Sequence, residues 1–172
     1  FYSVCGAFLA LPGIVAVCLW AGRDGSFAPG GILDGAKIAG HGQILLVLVF
    51  LAILGFGAKA GMFPLHAWLT AAHPVSPAPA SALLSGLIAK AGIFAVMRLV
   101  YGAVGRELLT GTWVQYTWLI IAMVTVFMGS MLALREKQLK RRLAYSSVSN
   151  LSYVMLGLAL LSAEGLTGAW LH

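Results

Sequence analysis

The chain has 172 residues, 60% of them hydrophobic and only 9% charged, with a mean hydropathy of +0.94. Soluble domains carry roughly 25% charged residues, so this composition excludes disordered chains, nucleic-acid modules and exposed coiled coils. The net charge of +6 comes from only 11 Lys and Arg, five of which lie within residues 135–142, a membrane-topology pattern rather than a phosphate-binding surface.

Five apolar segments are long enough for a hydrocarbon core, which takes about 20 helical residues. The first covers about 2–21, with Pro12 and Gly13 in its middle. No basic residues precede it and no small-residue cleavage site follows, so it does not read as a signal peptide. Its two cysteines, Cys5 and Cys18, lack zinc or disulfide spacing and read as small packing residues. A Gly-rich loop over 22–40 carries Arg23, Asp24, Asp34 and Lys37, whose charges cancel.

The second segment, 42–73, would measure about 48 Å if wholly helical at about 1.5 Å per residue. Gly55, Gly57, Gly61 and Pro64 fall near its centre. Proline removes a helical donor and frees a carbonyl, so we expect a helix broken near 57–64 into two halves. A turn over 74–79 leads to a third helix, 80–100, with Arg98 near its outer end as a snorkelling anchor. The fourth, 113–134, opens on the interfacial aromatics Trp113, Tyr116 and Trp118. After the basic loop 135–142 the fifth covers 143–161. The positive-inside rule puts that loop in the cytoplasm; the expected location is a bacterial or archaeal cytoplasmic membrane. Residues 1–172 are expected to form one all-α, polytopic transmembrane domain.

Two lysines, Lys59 and Lys90, fall at mid-span, where each costs about 2.5–3.5 kcal/mol to insert. Lys59 lies inside the expected break. Ala78, Ala82, Gly86 and Lys90 recur every four residues, so Lys90 is expected to point at another helix rather than at lipid. A lysine held there gains or loses its proton as its electrostatic surroundings change. The five acids, Asp24, Asp34, Glu107, Glu136 and Glu164, all fall in expected loops or at helix ends. Counter-charges to the buried lysines are therefore expected from elsewhere in a longer chain or from a partner. The chain lacks an initiator Met and begins at once in a helix, which reads as an internal fragment.

His66 and His73 follow Lys59 at seven-residue steps and share a side. They suit a proton relay, or equally a polar helix terminus. Ser146, Ser149, Asn150 and Tyr153 line one face of the fifth helix, as a water file or as interhelical hydrogen-bond glue. No motif for haem, iron–sulfur, flavin or nucleotide is visible, so no cofactor or redox centre is expected on this chain.

The string from Lys59 through Ala-Gly-Met-Phe-Pro-Leu-His-Ala-Trp to Leu69 resembles a known family, as does Pro77-Ala-Pro-Ala-Ser-Ala-Leu83 followed by Leu87-Ile-Ala-Lys90. Leu139-Lys-Arg-Arg-Leu-Ala-Tyr-Ser-Ser-Val-Ser149 adds a further matching string in register. The chain resembles, over about 42–172, the antiporter-like proton-translocating membrane subunits of respiratory complex I, multisubunit sodium/proton antiporters and membrane-bound hydrogenases. The resemblance implies part of an inverted-repeat fold, with Lys59 on the broken helix and Lys90 on the next helix along a central polar axis. It also implies neighbouring membrane subunits as partners and protons as cargo, with sodium as the alternative; no nucleic acid is involved. Thr70-Ala-Ala72 departs from the family, which commonly continues with Pro and an acid at that point. His73-Pro74 and the Arg135–Arg142 string look more like the antiporter or hydrogenase branches. Two other readings stay open: a structural subunit with static lysine ion pairs, and an independent transporter of anionic solutes.

Overall fold

The computed structural model describes residues 2–21 and 42–172, which are helical without any strand. The Gly-rich loop with Arg23, Asp24, Asp34 and Lys37 lies outside the described residues. Helix α1 (Tyr2–Ala21) passes through Pro12 without ending, and α2 (Gly42–Ala60) runs antiparallel to it. Gly6 faces Gly55 and Ala58, while Gly13 faces Leu48 and Ala52. A Cβ on Gly55 would lie 2.5 Å from Ala10 N and from Gly6 O. The two backbones thus touch, the approach small residues permit where hydrophobic burial supplies no drive between helices. Gly55 serves packing and not the helix break.

The break falls at 61–66, after which α3 (Ala67–Val75) resumes and carries Pro74 within it. The third spanning path begins at α4 (Ala78–Leu83), with proline at its N-terminal positions, where no intrahelical donor is needed. It continues through a π-helical turn, Leu84–Ile88, into α5 (Ala89–Met97) and a second π-helical stretch, Arg98–Val104. Gly105, at φ 82°, ends it. The helical path therefore runs from 78 to 104, longer at both ends than the expected 80–100. A short α6 (Arg106–Leu109) leads to α7 (Trp113–Arg135), which pairs antiparallel with α8 (Leu139–Ala159).

Only three residues separate those two helices. Lys140, Arg141 and Arg142, expected in a loop, occupy the first turn of α8. Ser162 caps α9 (Ala163–Leu171) by accepting from Gly165 N at 2.9 Å, and Glu164 in the first turn suits the helix dipole.

Three stretches, Gln43–Ala60, Pro79–Val104 and Trp113–Arg135, are long and apolar enough to cross a membrane by length and composition. At about 1.5 Å per residue, the 23 residues of Trp113–Arg135 exceed a core of about 30 Å. Helix α8 has 21 residues but begins on cations and carries serines along its length. The core gathers Val49, Ile53, Val96, Trp118, Met155 and Leu158 from α2, α5, α7 and α8. The outside is no less apolar: Phe8 and Phe127 are about 70% exposed, as are Leu87 and Met123 at 65%. Such a surface suits lipid and not water.

Candidate functional site

The end of α2 is built from a recognisable local geometry. Gly61 N donates to Ala58 O at 3.1 Å and Met62 N to Gly57 O at 2.8 Å. These two bonds form a Schellman closure, with Gly61 at φ +88° where a side chain would be strained. Met62 folds back over Gly57, where an added Cβ would lie 2.6 Å from Met62 Cε. Lys59 therefore sits in the last turn of α2, next to its carbonyl end. A helix C-terminus favours a cation there by about 0.3–1 kcal/mol.

The irregular backbone after Ala60 is satisfied by specific partners, a condition for such backbone at membrane depth. Trp68 Nε1 donates to Ala58 O at 2.7 Å, and Phe63 N donates to Thr125 Oγ1 on α7 at 3.1 Å. Thr125 Oγ1 in turn donates to Ile121 O at 2.6 Å. The Phe63–Pro64 peptide is cis. Trp68 and Thr125 thus hold the break, and sequence reasoning assigned a role to neither. Trp68 lies within the string carrying the family resemblance; nothing in the sequence marks Thr125.

Lys59 lies against α5. A Cβ on Gly92 would meet Phe56 O at 2.8 Å, Ala60 N at 2.9 Å and Lys59 Cβ at 3.2 Å. Lys90 is two residues from Gly92, about 200° around the helix at 3.6 residues per turn. It therefore points away from α2, and α5 stands between the two lysines. Both lysines are exposed and have no hydrogen-bond or ion-pair partner among the described residues. The expected burial is thus not supplied by these residues. In α2 the inward positions next to Lys59 go to Ala58 and Ala60, and in α5 to Ala89, Gly92 and Ile93. Ala82 and Gly86, in the small-residue row leading to Lys90, are also exposed, and Gly86 has no neighbour within 4 Å of an added Cβ.

Lys90 borders a cavity of about 620 Å³ between its own helix, α8 and α9. Ser85, Asn150 and His172 share its wall with Phe94 and Trp170, whose rings meet edge-on at 5.8 Å. Tyr153, half exposed, lies 5.8 Å from the His172 ring. Ser149 faces elsewhere: it is buried against α7, its Oγ 3.0 Å from Ser130 Oγ and donating to Val126 O at 3.3 Å. Ser146 is exposed.

His66 occupies the break itself, half-buried and stacked on Phe63 with ring centroids 6.0 Å apart. His73 is buried in α3, with Nδ1 2.5 Å from Ser81 Oγ on α4. Nδ1 of His66 and Nε2 of His73 are both buried without a partner among the described residues. Buried polar atoms in that state are costly, so each is a place where a polar species would be held. No group of His, Cys, Asp and Glu suited to a metal ion occurs among the described residues.

Residues 2–172 match the family described as "NADH:quinone oxidoreductase/Mrp antiporter, TM". The chain is 40% identical over 137 residues to hydrogenase-4 component B of Escherichia coli K12, covering 71% of this chain and 20% of that protein. It is 36% identical over 130 residues to NAD(P)H-quinone oxidoreductase chain 4 1 of Synechococcus sp. JA-3-3Ab, covering 76% of this chain and 24% of that protein. Among solved structures, a chain of the Mrp complex from Dietzia sp. DQ12-45-1b superposes with a TM-score of 0.81 at 25% identity, covering 98% of this chain and 30% of that one. The chain thus spans about a fifth to a quarter of the length of the curated relatives it matches.

Proposed function

The chain belongs to the NADH:quinone oxidoreductase/Mrp antiporter transmembrane family, and from that premise we propose that it moves protons across the membrane through Lys59 and Lys90. Residues 1–172 act as one transmembrane unit within a larger membrane complex: a complex I-like oxidoreductase, a multisubunit sodium/proton antiporter or a membrane-bound hydrogenase. Sodium is the alternative cargo, and the 135–142 connection faces the cytoplasm of a bacterial or archaeal cell. No bond chemistry takes place on this chain; its work is to hold and pass on a proton.

One observation carries the reading: a lysine in the closing turn of a helix that breaks within the membrane-spanning set. Half-helix ends of this kind are where transporters present oriented backbone dipoles to charge. Lys59 stands at the negative end of α2, where a cation is favoured. His66 and His73, each with one unpartnered ring nitrogen, provide the next acceptors toward the α3–α4 turn. Lys90, on the far side of α5, takes the charge onward along its cavity with Asn150 and Tyr153 beyond.

The test uses the full-length protein within its parent complex, reconstituted in vesicles. Lys59→Ala and Lys90→Ala are expected to abolish or sharply reduce proton movement at normal assembly levels. Lys59→Arg and Lys90→Arg are expected to do the same, because arginine does not release its proton. Activity retained in the arginine variants would assign both lysines to static charge pairing, and normal pumping in the alanine variants would end the proposal outright.

A further inference from the structure

The connection between α7 and α8 carries a charge arrangement that topology alone does not require. Arg135, Lys137, Lys140, Arg141 and Arg142 are all exposed within eight residues. Glu136 is the sole acid in that stretch, and it engages a single cation, Arg141, at 3.3 Å. Three of the cations stand in the first turn of α8, the end of a helix that repels positive charge. Each such placement costs about 0.3–1 kcal/mol. The orientation rule is met by basic residues anywhere near a span, so placing three of them in a first turn that opposes them points to an external anion.

The patch is also apolar. Leu134, Leu139 and Leu143 are 70%, 72% and 58% exposed, and each adjoins a cation in sequence: Arg135, Lys140 and Arg142. Lys140 leans across to the α3–α4 turn, its Nζ 3.4 Å from Ser76 O, beside Val75, which is 88% exposed. The patch lies where the apolar stretch Trp113–Arg135 ends, which is the depth of lipid headgroups. An acidic soluble protein would answer the cations and leave the leucines in water. A phosphodiester with acyl chains answers both.

The geometry points to this surface as a binding site for an anionic phospholipid: its phosphate held by the exposed cations of the α7–α8 connection and the first turn of α8, its acyl chains running along Leu134, Leu139 and Leu143. This site is independent of any proton path, so its test stands or falls separately from the translocation experiments.

The full-length protein is placed in nanodiscs of phosphatidylcholine with or without phosphatidylglycerol, and melting temperature and retained phosphatidylglycerol are read, the latter by mass spectrometry. Phosphatidylglycerol is expected to raise the melting temperature, less so at high salt, whereas inorganic phosphate is not. The Lys140→Gln/Arg141→Gln/Arg142→Gln variant is expected to weaken retention by at least about tenfold, since each cation near an anionic surface contributes about fivefold. Glu136→Gln, which frees Arg141 and leaves every cation in place, is expected to retain phosphatidylglycerol as well as or better than the parent. It keeps the test decisive even if the triple variant inserts badly. Equal stabilisation by the two lipids, or weaker retention by Glu136→Gln, overturns the assignment. So does unchanged retention by the triple variant together with loss of a peripheral acidic subunit, which would give the patch to a protein.

Discussion

Gly92→Ala tests the packing that brings Lys59 to α5. The added methyl would sit 2.8 Å from Phe56 O and 2.9 Å from Ala60 N, both backbone atoms that no side-chain rotation can move. The remaining neighbour, Lys59 Cβ at 3.2 Å, is also close to its backbone. Relief requires α5 to withdraw from α2 by about 0.5–1 Å, a gap that forfeits a quarter to a half of each van der Waals contact. Overpacking of this kind costs about 1–3 kcal/mol, against a gain of up to about 1 kcal/mol for replacing a helical glycine. We therefore expect a net loss of about 1–2 kcal/mol and displacement of Lys59. Gly168 in α9 is the control: an added Cβ there has nothing within 4 Å, so Gly168→Ala should be neutral or slightly stabilising. Thermal melting of the full-length protein in detergent, followed by size-exclusion profile, reads the first effect. Proton movement in vesicles reads the second. A Gly92→Ala protein that melts and pumps like the parent, or a Gly168→Ala protein equally damaged, would refute the reasoning.

Two further substitutions address the break. Trp68→Phe removes the indole donor to Ala58 O and is expected to cost about 0.5–1.5 kcal/mol, with a larger fractional loss in proton movement than in melting temperature. Similar translocation by the variant and the parent would show that this bond does not position Lys59. Thr125→Val keeps the volume but strands Phe63 N–H, whose acceptor is Thr125 Oγ1; a buried donor left so costs about 1–3 kcal/mol. Thr125→Ser, which keeps the oxygen, should recover most of the melting temperature, and failure to do so would place the cause in packing.

Much of the architecture was legible in the amino acids because it depends on local properties. The apolar runs over 42–73, 80–100 and 113–134 advertise spans by length alone, and Gly61 with Pro64 announces an interruption beside Lys59. The same glycines show where local reading fails. Gly55 and Gly57, grouped with the break by composition, lie within continuous α2, where Gly55 admits α1 and Gly57 admits Met62. Likewise the run from Arg135 to Arg142 reads as a loop because it is charged, yet Leu139–Arg142 is already helix. Ser149 and Asn150 are neighbours in sequence, but one ties α8 to α7 and the other borders the cavity of Lys90.

What the sequence by itself determined was a helical membrane chain with a lysine at a helix break, a second lysine on the following helix and a basic membrane edge. Apolar length, proline geometry and charge each act through a residue and its immediate chain neighbours. Only the tertiary structure decided which carbonyl Trp68 caps, that Thr125 anchors Phe63 from 62 residues away, and that Gly92 brings α5 onto Lys59. It also decided that the two lysines look to opposite sides of α5. Those are relations between segments distant in the chain, set by which backbones can approach and which polar groups must find partners where no water is at hand.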